Sequence, residues 1–142
     1  MTGRGTGVQA VLAAHGIGPA RIVVLEVAGR RTGRTVSLPV VVADLDGERY
    51  LVSMLGDGTQ WVRNVRAARG RVTLRHRGRQ DVVLEEVEPA RRAPVLRRYL
   101  DLAPGARAHI PVDRRAPVTD FDQIAADFPV FRITTAPPAG WG

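Results

Sequence analysis

The stretch "RIVVLEVAGRRTGRTVSLPVVVADLDGERYLVSML", Arg21 to Leu55, alternates runs of β-branched residues with short turn signals. Residues 21–29 read as a buried strand, because Val and Ile crowd a helix but pack well on a pleated surface. Gly33 accepts the positive φ of a tight turn, and 34–45 read as a second strand. Pro39 lacks an N–H, so this second strand belongs at a sheet edge or carries a bulge. Asp46-Gly47 is a two-residue hairpin signal, and 48–55 is the strand returning from it. Strands joined by turns this short lie antiparallel, since a parallel pair needs a long crossover.

The same punctuation continues outward. Upstream, 8–16 can make a short helix stopped by Gly16 and Gly18. Downstream, Asp57 or Thr59 can cap a helix whose apolar side carries Trp61, Val62, Val65 and Ala68, with Gly70 ending it. Residues 71–77 alternate strictly, placing Val72, Leu74 and His76 on one face and Arg71, Thr73, Arg75 and Arg77 on the other, with the three arginines facing solvent. Gly78 turns the chain into a strand over 80–88. Pro89 opens an arginine-rich helical stretch through Leu102, with Pro94 disturbing its first turns. A loop over 103–118, a short helix over 120–127 capped by Thr119, and a last strand over 128–133 follow.

Strands with hairpin connections and helices set at the ends are not a βαβ alternation. The expected fold is mainly β with peripheral helices (α+β): a barrel of about six mostly antiparallel strands. The sequence divides into an N-terminal segment with a short helix (1–19), the barrel domain (20–135) and a flexible tail (136–142).

Composition narrows the function. The chain has 142 residues, enough for one domain, and a net charge of +7. All 21 of its basic residues are Arg. Guanidinium forks bind phosphate and carboxylate bidentately, and their summed field draws anions. The absence of cysteine excludes disulfides and thiolate chemistry. The three histidines, His15, His76 and His109, lie in separate segments without metal-ligand spacing, so no metal is expected. No apolar run is long enough for a membrane span, and the N-terminus lacks a signal-peptide pattern, so a soluble, cytoplasmic protein is expected.

Two stretches can carry chemistry. Arg30, Arg31, Thr32, Gly33 and Arg34 form either a solvated hairpin tip or a clamp for a phosphate or polycarboxylate. "VSMLGDGTQWVRNV" (52–65) is a strand, a glycine-containing loop and a helix start, where free N–H groups attract anions. Trp61 and Asn64 share a helix face. They can floor and edge a ring system, or be core and solvent-facing residues respectively. No dinucleotide fingerprint, phosphate-binding P-loop or serine-hydrolase elbow is present. Glu85, Glu86 and Glu88 read as surface partners for arginines. His109, with Tyr99 upstream, reads as a loop-packing residue or a substrate-side group. No catalytic side chain is assigned.

Together, "GRRTGRTVSLP" (29–39) and "YLVSMLGDGTQWVRNVRA" (50–67) resemble the deazaflavin-dependent nitroreductase family of actinobacteria. The resemblance extends through "GRVTLRHRGR" and "FPVFRI". It implies a split β-barrel, like those that bind FMN. It also implies an oxidoreductase that takes a hydride from reduced coenzyme F-420, an 8-hydroxy-5-deazaflavin, to a quinone, nitroaromatic or similar planar acceptor. By motif position it implicates Arg30, Arg31, Thr32, Gly33, Arg34, Ser53, Met54, Leu55, Gly56, Gln60, Trp61 and Asn64 in holding the cofactor. Met54 stands where relatives often carry a Lys, and Val36 where some carry an Arg. Family members are often dimers, so a homodimer is a further expectation. The rival readings are an FMN-dependent barrel and a non-catalytic basic barrel holding a cofactor or single-stranded nucleic acid. Nucleic-acid barrels interleave aromatics with their basic residues, whereas aromatics are 5% of this chain.

Overall fold

The computed structural model describes residues 21–135. The helix expected over 8–16 and the tail 136–142 lie outside the described residues. Seven strands form one antiparallel sheet: β1 (Ile22–Ala28), β2 (Thr35–Val41), β3 (Ala43–Leu45), β4 (Glu48–Val52), β5 (Arg71–Arg75), β6 (Arg79–Glu86) and β7 (Val130–Thr135). Helices α1 (Gln60–Ala67), α2 (Ala93–Leu102) and α3 (Val118–Asp122) pack around it.

The strand order is β2-β1-β5-β6-β7-β4-β3. The two edge strands, β2 and β3, are consecutive in the chain and separated only by Val42. A sheet whose opposite edges are one residue apart must curl until they meet, which makes it a split-barrel-like half-barrel. Val42 N–H donates to the Arg21 carbonyl (2.8 Å), pinning the bend to the start of β1. This bend also explains why seven strands stand where about six were expected: 34–45 is continuous in sequence but divides at Val42. Pro39 sits on β2 opposite Val24, at the sheet edge where its missing N–H costs no ladder bond. Asp46 (φ 52°) and Gly47 (φ 81°) make the expected hairpin between β3 and β4.

Two apolar layers result. Inside the curl, Leu25, Leu51, Val72, Val82 and Phe131 enclose Val62 and Val65 of α1, so this helix plugs the barrel. On the outside of β3 and β4, Leu96 and Leu100 of α2 and Phe121 of α3 cover Ala43, Val52 and Val130.

Three expectations shift. His76 is not on the inner face of β5: that strand ends at Arg75, and His76 is exposed in a turn made by Arg77 (φ 64°) and Gly78. The last helix starts at Val118 with Pro117, not Thr119, at its N-cap, because Pro117 holds the extended conformation that precedes a first turn. That helix ends at Asp122, and Ala125–Asp127 form a separate 3-10 turn. The final strand starts at Val130, because Pro129 has no N–H for the ladder, although its carbonyl accepts from Ser53 N–H (2.9 Å). The expected pairing of acidic residues with arginines is present for Glu85, with Arg132, and for Glu86, with Arg66 and Arg92.

Candidate functional site

The loop from Gly29 to Arg34 leaves β1 and returns into β2. Gly29 N–H donates to the Arg34 carbonyl (2.8 Å), and Gly33 N–H to the Gly29 carbonyl (2.8 Å). Gly33 has φ 75° with open space around it, so the turn needs glycine for its backbone, not for packing. Arg31, Thr32, Gly33 and Arg34 are exposed and Arg30 is half-buried. Asn64 of α1, only 4% exposed, reaches this loop. Its Oδ1 accepts from Arg30 N–H (3.1 Å) and from Arg30 Nη1 (2.9 Å).

The loop gathers three arginines that make no ion pair, a state they share with eleven other described arginines. All 14 carboxylates of the sequence lie among the described residues. Seven of them pair, with Arg66, Arg75, Arg92, Arg98, Arg114 and Arg132. None of them pairs with Arg30, Arg31 or Arg34. One six-residue loop thus carries three guanidinium groups with no ion pair among the described residues.

The second stretch builds a wall. A cavity of about 540 Å³ opens between β2, the segment 52–61 and α2. Its lining is dominated by apolar side chains: Val36, Leu38, Pro39 and Val40 on one side, Met54, Leu55 and Trp61 on the other, Ala103 and Ala106 at the back. Gln60, Thr59, Tyr99 and His109 supply the polar groups. Trp61 leans on Phe131 of the barrel core, ring centroids 5.7 Å apart, which fixes the plane of the indole. The arginine loop adjoins this cavity, for a side chain at Gly29 would lie 3.5 Å from the Val36 methyl.

Of the twelve residues expected at a site, Met54, Leu55, Gln60 and Trp61 line the cavity. Arg30, Arg31, Thr32, Gly33 and Arg34 form the charged loop beside it. Ser53, Gly56 and Asn64 hold these parts in place: buried Ser53 Oγ donates to the Gly56 carbonyl (2.7 Å) and lies 3.3 Å from Thr59 Oγ1. That bond, with Gly56 at φ 98°, shapes the loop that delivers Trp61. Thr59 occupies the N-cap of α1 but its hydroxyl makes no cap bond, leaving the first N–H groups of the helix without a side-chain acceptor.

Sequence reasoning missed the β2 wall and underrated Tyr99. Val36 and Leu38 read as ordinary strand residues, and only the structure shows that Val36, on an edge strand, is 40% exposed. Tyr99 is 5% exposed, and burial pushes its phenol up to about 12. A phenol that ionises at a higher pH folded than unfolded favours the fold most below about pH 10. Stability should therefore fall as pH climbs from about 10 to about 12. Urea midpoints for wild type and Tyr99→Phe across that window check this; the fall due to this phenol is absent in the variant, and equal slopes would refute the assignment.

The model of the F420H(2)-dependent quinone reductase family matches residues 4–121. The chain belongs to that family. Among solved structures, the F420-H2 dependent reductase FDR-A superposes with a TM-score of 0.51 at 19% identity, over 80% of this chain and 93% of its own. A conserved hypothetical protein from Mycobacterium tuberculosis does so with a TM-score of 0.55 at 20% identity, covering 91% and 81%. A protein of unknown function from Agrobacterium tumefaciens gives 0.58 at 14% identity, over 81% of this chain and 48% of that one. This chain thus spans about half the length of the Agrobacterium protein. At these identities the structures establish the fold alone. No curated protein matches the sequence. Among the described residues there is no cluster of side chains fit to hold a metal ion, and no helix is long and apolar enough to cross a membrane.

Proposed function

We propose that this chain binds reduced coenzyme F-420 and passes its hydride to a planar acceptor, a quinone or a nitroaromatic. One observation carries the reading: a loop bearing three arginines without ion pairs runs into Val36, which lines an apolar cavity walled by Trp61. A ligand with a flat ring and an anionic tail is complementary to both halves at once.

The residues fit the group. Arg30, Arg31 and Arg34 would hold the phosphate and acidic tail through charge-assisted bonds. Trp61, Met54 and Leu55 would flank the ring, with Gln60 at its rim. The bound deazaflavin supplies the hydride, so the protein needs no nucleophile or carboxylate dyad of its own. Val36, Leu38 and Pro39 line the other side of the cavity and would help exclude water from the ring. Tyr99 Oη keeps its proton through the neutral range and lines the cavity, where it would donate a hydrogen bond to an acceptor oxygen.

Parallel fluorescence titrations with F-420 and FMN test the reading, followed by oxidation of the reduced cofactor with menadione. Saturable F-420 binding and menadione-dependent turnover are expected; tight FMN binding without F-420 binding would sink it. Replacing Arg30 and Arg31 together by Ala should weaken F-420 binding by about tenfold or more. Unchanged affinity would reduce the loop to a plain turn.

A further inference from the structure

Asn64 anchors the charged loop from α1, and it differs both from the carboxylates that hold six other arginines and from the exposed Gln80 amide that holds Arg49 (3.4 Å), because it is buried. Arg66, Arg75, Arg92, Arg98, Arg114 and Arg132 are gripped by carboxylates. Arg30 is gripped by a neutral amide 34 positions away, from a side chain 4% exposed. A carboxylate at position 64 would hold the guanidinium more strongly, since charge-assisted bonds are about twice as strong as neutral ones. It would also cancel the charge that the loop presents, in a buried place where water screens least.

We propose that Asn64 is a positioning residue whose neutral amide fixes the Arg30 guanidinium, and the turn carrying it, for an anionic ligand without neutralising that charge. The same Oδ1 atom accepts from the Arg30 backbone N–H, so turn and side chain share one anchor. The Gly29–Arg34 bond then places Arg34 from that anchor. The anchor belongs to α1, the helix that also presents Trp61 to the cavity. One rigid helix therefore sets the distance between the ring wall and the anion clamp. This inference rests on the cofactor reading above and assigns Asn64 a role in it other than contact with the ring edge.

The experiment uses the full chain and four variants: Asn64→Ala, Asn64→Asp, Arg30→Ala and Arg30→Ala with Asn64→Ala. Each is titrated with F-420 and with its ring portion lacking phosphate and glutamate tail, at low and high salt. Asn64→Asp keeps an acceptor for Arg30, so its thermal midpoint should equal or exceed that of wild type. Its F-420 affinity should nonetheless fall by about tenfold or more, with a flatter salt dependence, while the ring portion binds as before. The double variant should bind F-420 no worse than the weaker single variant, because both act through one guanidinium. Wild-type affinity in Asn64→Asp would overturn the proposal, as would additive losses in the double variant or equal loss of the ring portion. If wild type takes FMN and not F-420, the cofactor reading falls, and the same variants titrated with FMN decide the role of Asn64. Binding of neither by wild type would overturn both.

Discussion

Gly70→Ala should destabilise the fold by about 3 kcal/mol or more, with a urea midpoint shifted far below wild type and an unchanged slope. Gly70 follows the end of α1, after Ala68 and Arg69 (φ 57°), and directly precedes β5, with φ 80°. Its N–H donates to the Val65 carbonyl (2.9 Å), closing the last turn of the helix. Ala at this φ costs about 1–2 kcal/mol before any contact is counted. The larger cost is steric, for a Cβ here would overlap the carbonyl oxygen of Leu84 on β6. That oxygen belongs to backbone and cannot rotate away. Relief requires parting α1 from β6, which breaks the bond from Leu84 N–H to the Gly70 carbonyl (2.7 Å). It would also loosen Val62 and Val65 from the barrel interior. Gly33→Ala is the control: its φ is 75° but nothing lies within 4 Å, so only the backbone cost of about 1–2 kcal/mol applies. Equal losses in the two variants would show that the Leu84 contact carries no weight.

The contrast between these glycines shows what the sequence could and could not convey. Both were legible as turn or cap residues, because a glycine between an amphipathic helix and a strand, or between two strands, has few other uses. That Gly70 also faces a backbone carbonyl depends on strand pairing across the sheet, which no local pattern encodes. The antiparallel half-barrel was legible for the same local reasons: hairpin turns at Asp46-Gly47 and Gly78 forbid parallel neighbours. The bend at Val42 was not, since a run of valines carries no mark where one edge strand becomes the other. At the candidate site, charge and ring-bearing residues stood out as residue types. The roles of Ser53 and Asn64 as internal props did not, because whether an amide faces ligand or loop depends on an arginine 34 positions away. The β2 wall was hidden because its valines and Pro39 read as ordinary strand.

Arg92→Met should cost about 3 kcal/mol, although none of its hydrogen-bond partners belongs to the arginine loop or the cavity lining. Arg92 is 4% exposed at the start of α2, and each arm of its fork is used. Nε donates to the Val87 carbonyl (2.7 Å), Nη1 to the Ala125 carbonyl (3.0 Å) and Nη2 to Glu86 (3.2 Å). Burial pushes its pKa down, while the neighbouring Glu86 carboxylate opposes this. Methionine keeps much of the stem but strands the Val87 carbonyl and leaves the Ala125 carbonyl only the longer bond from Phe128 N–H (3.3 Å); Glu86 retains Arg66 (2.7 Å), so the loss falls on the backbone acceptors. Lysine should rescue only part, because a point ammonium cannot span three directions fixed by a planar fork. The consequence reaches the site through α2. Arg92 ties the first turn of this helix to the end of β6 and the 3-10 turn before β7, and Tyr99 and Ala103 at its far end form the cavity's back wall. A loosened α2 would let water reach Tyr99, so its phenol should ionise below the wild-type value of about 12 in an absorbance titration of the folded variant. A variant that loses stability while Tyr99 titrates as in wild type would show that the two ends of α2 dock independently. A Tyr99 shift that tracks the stability loss would make Arg92 the link between the barrel's rim and the shape of its cavity.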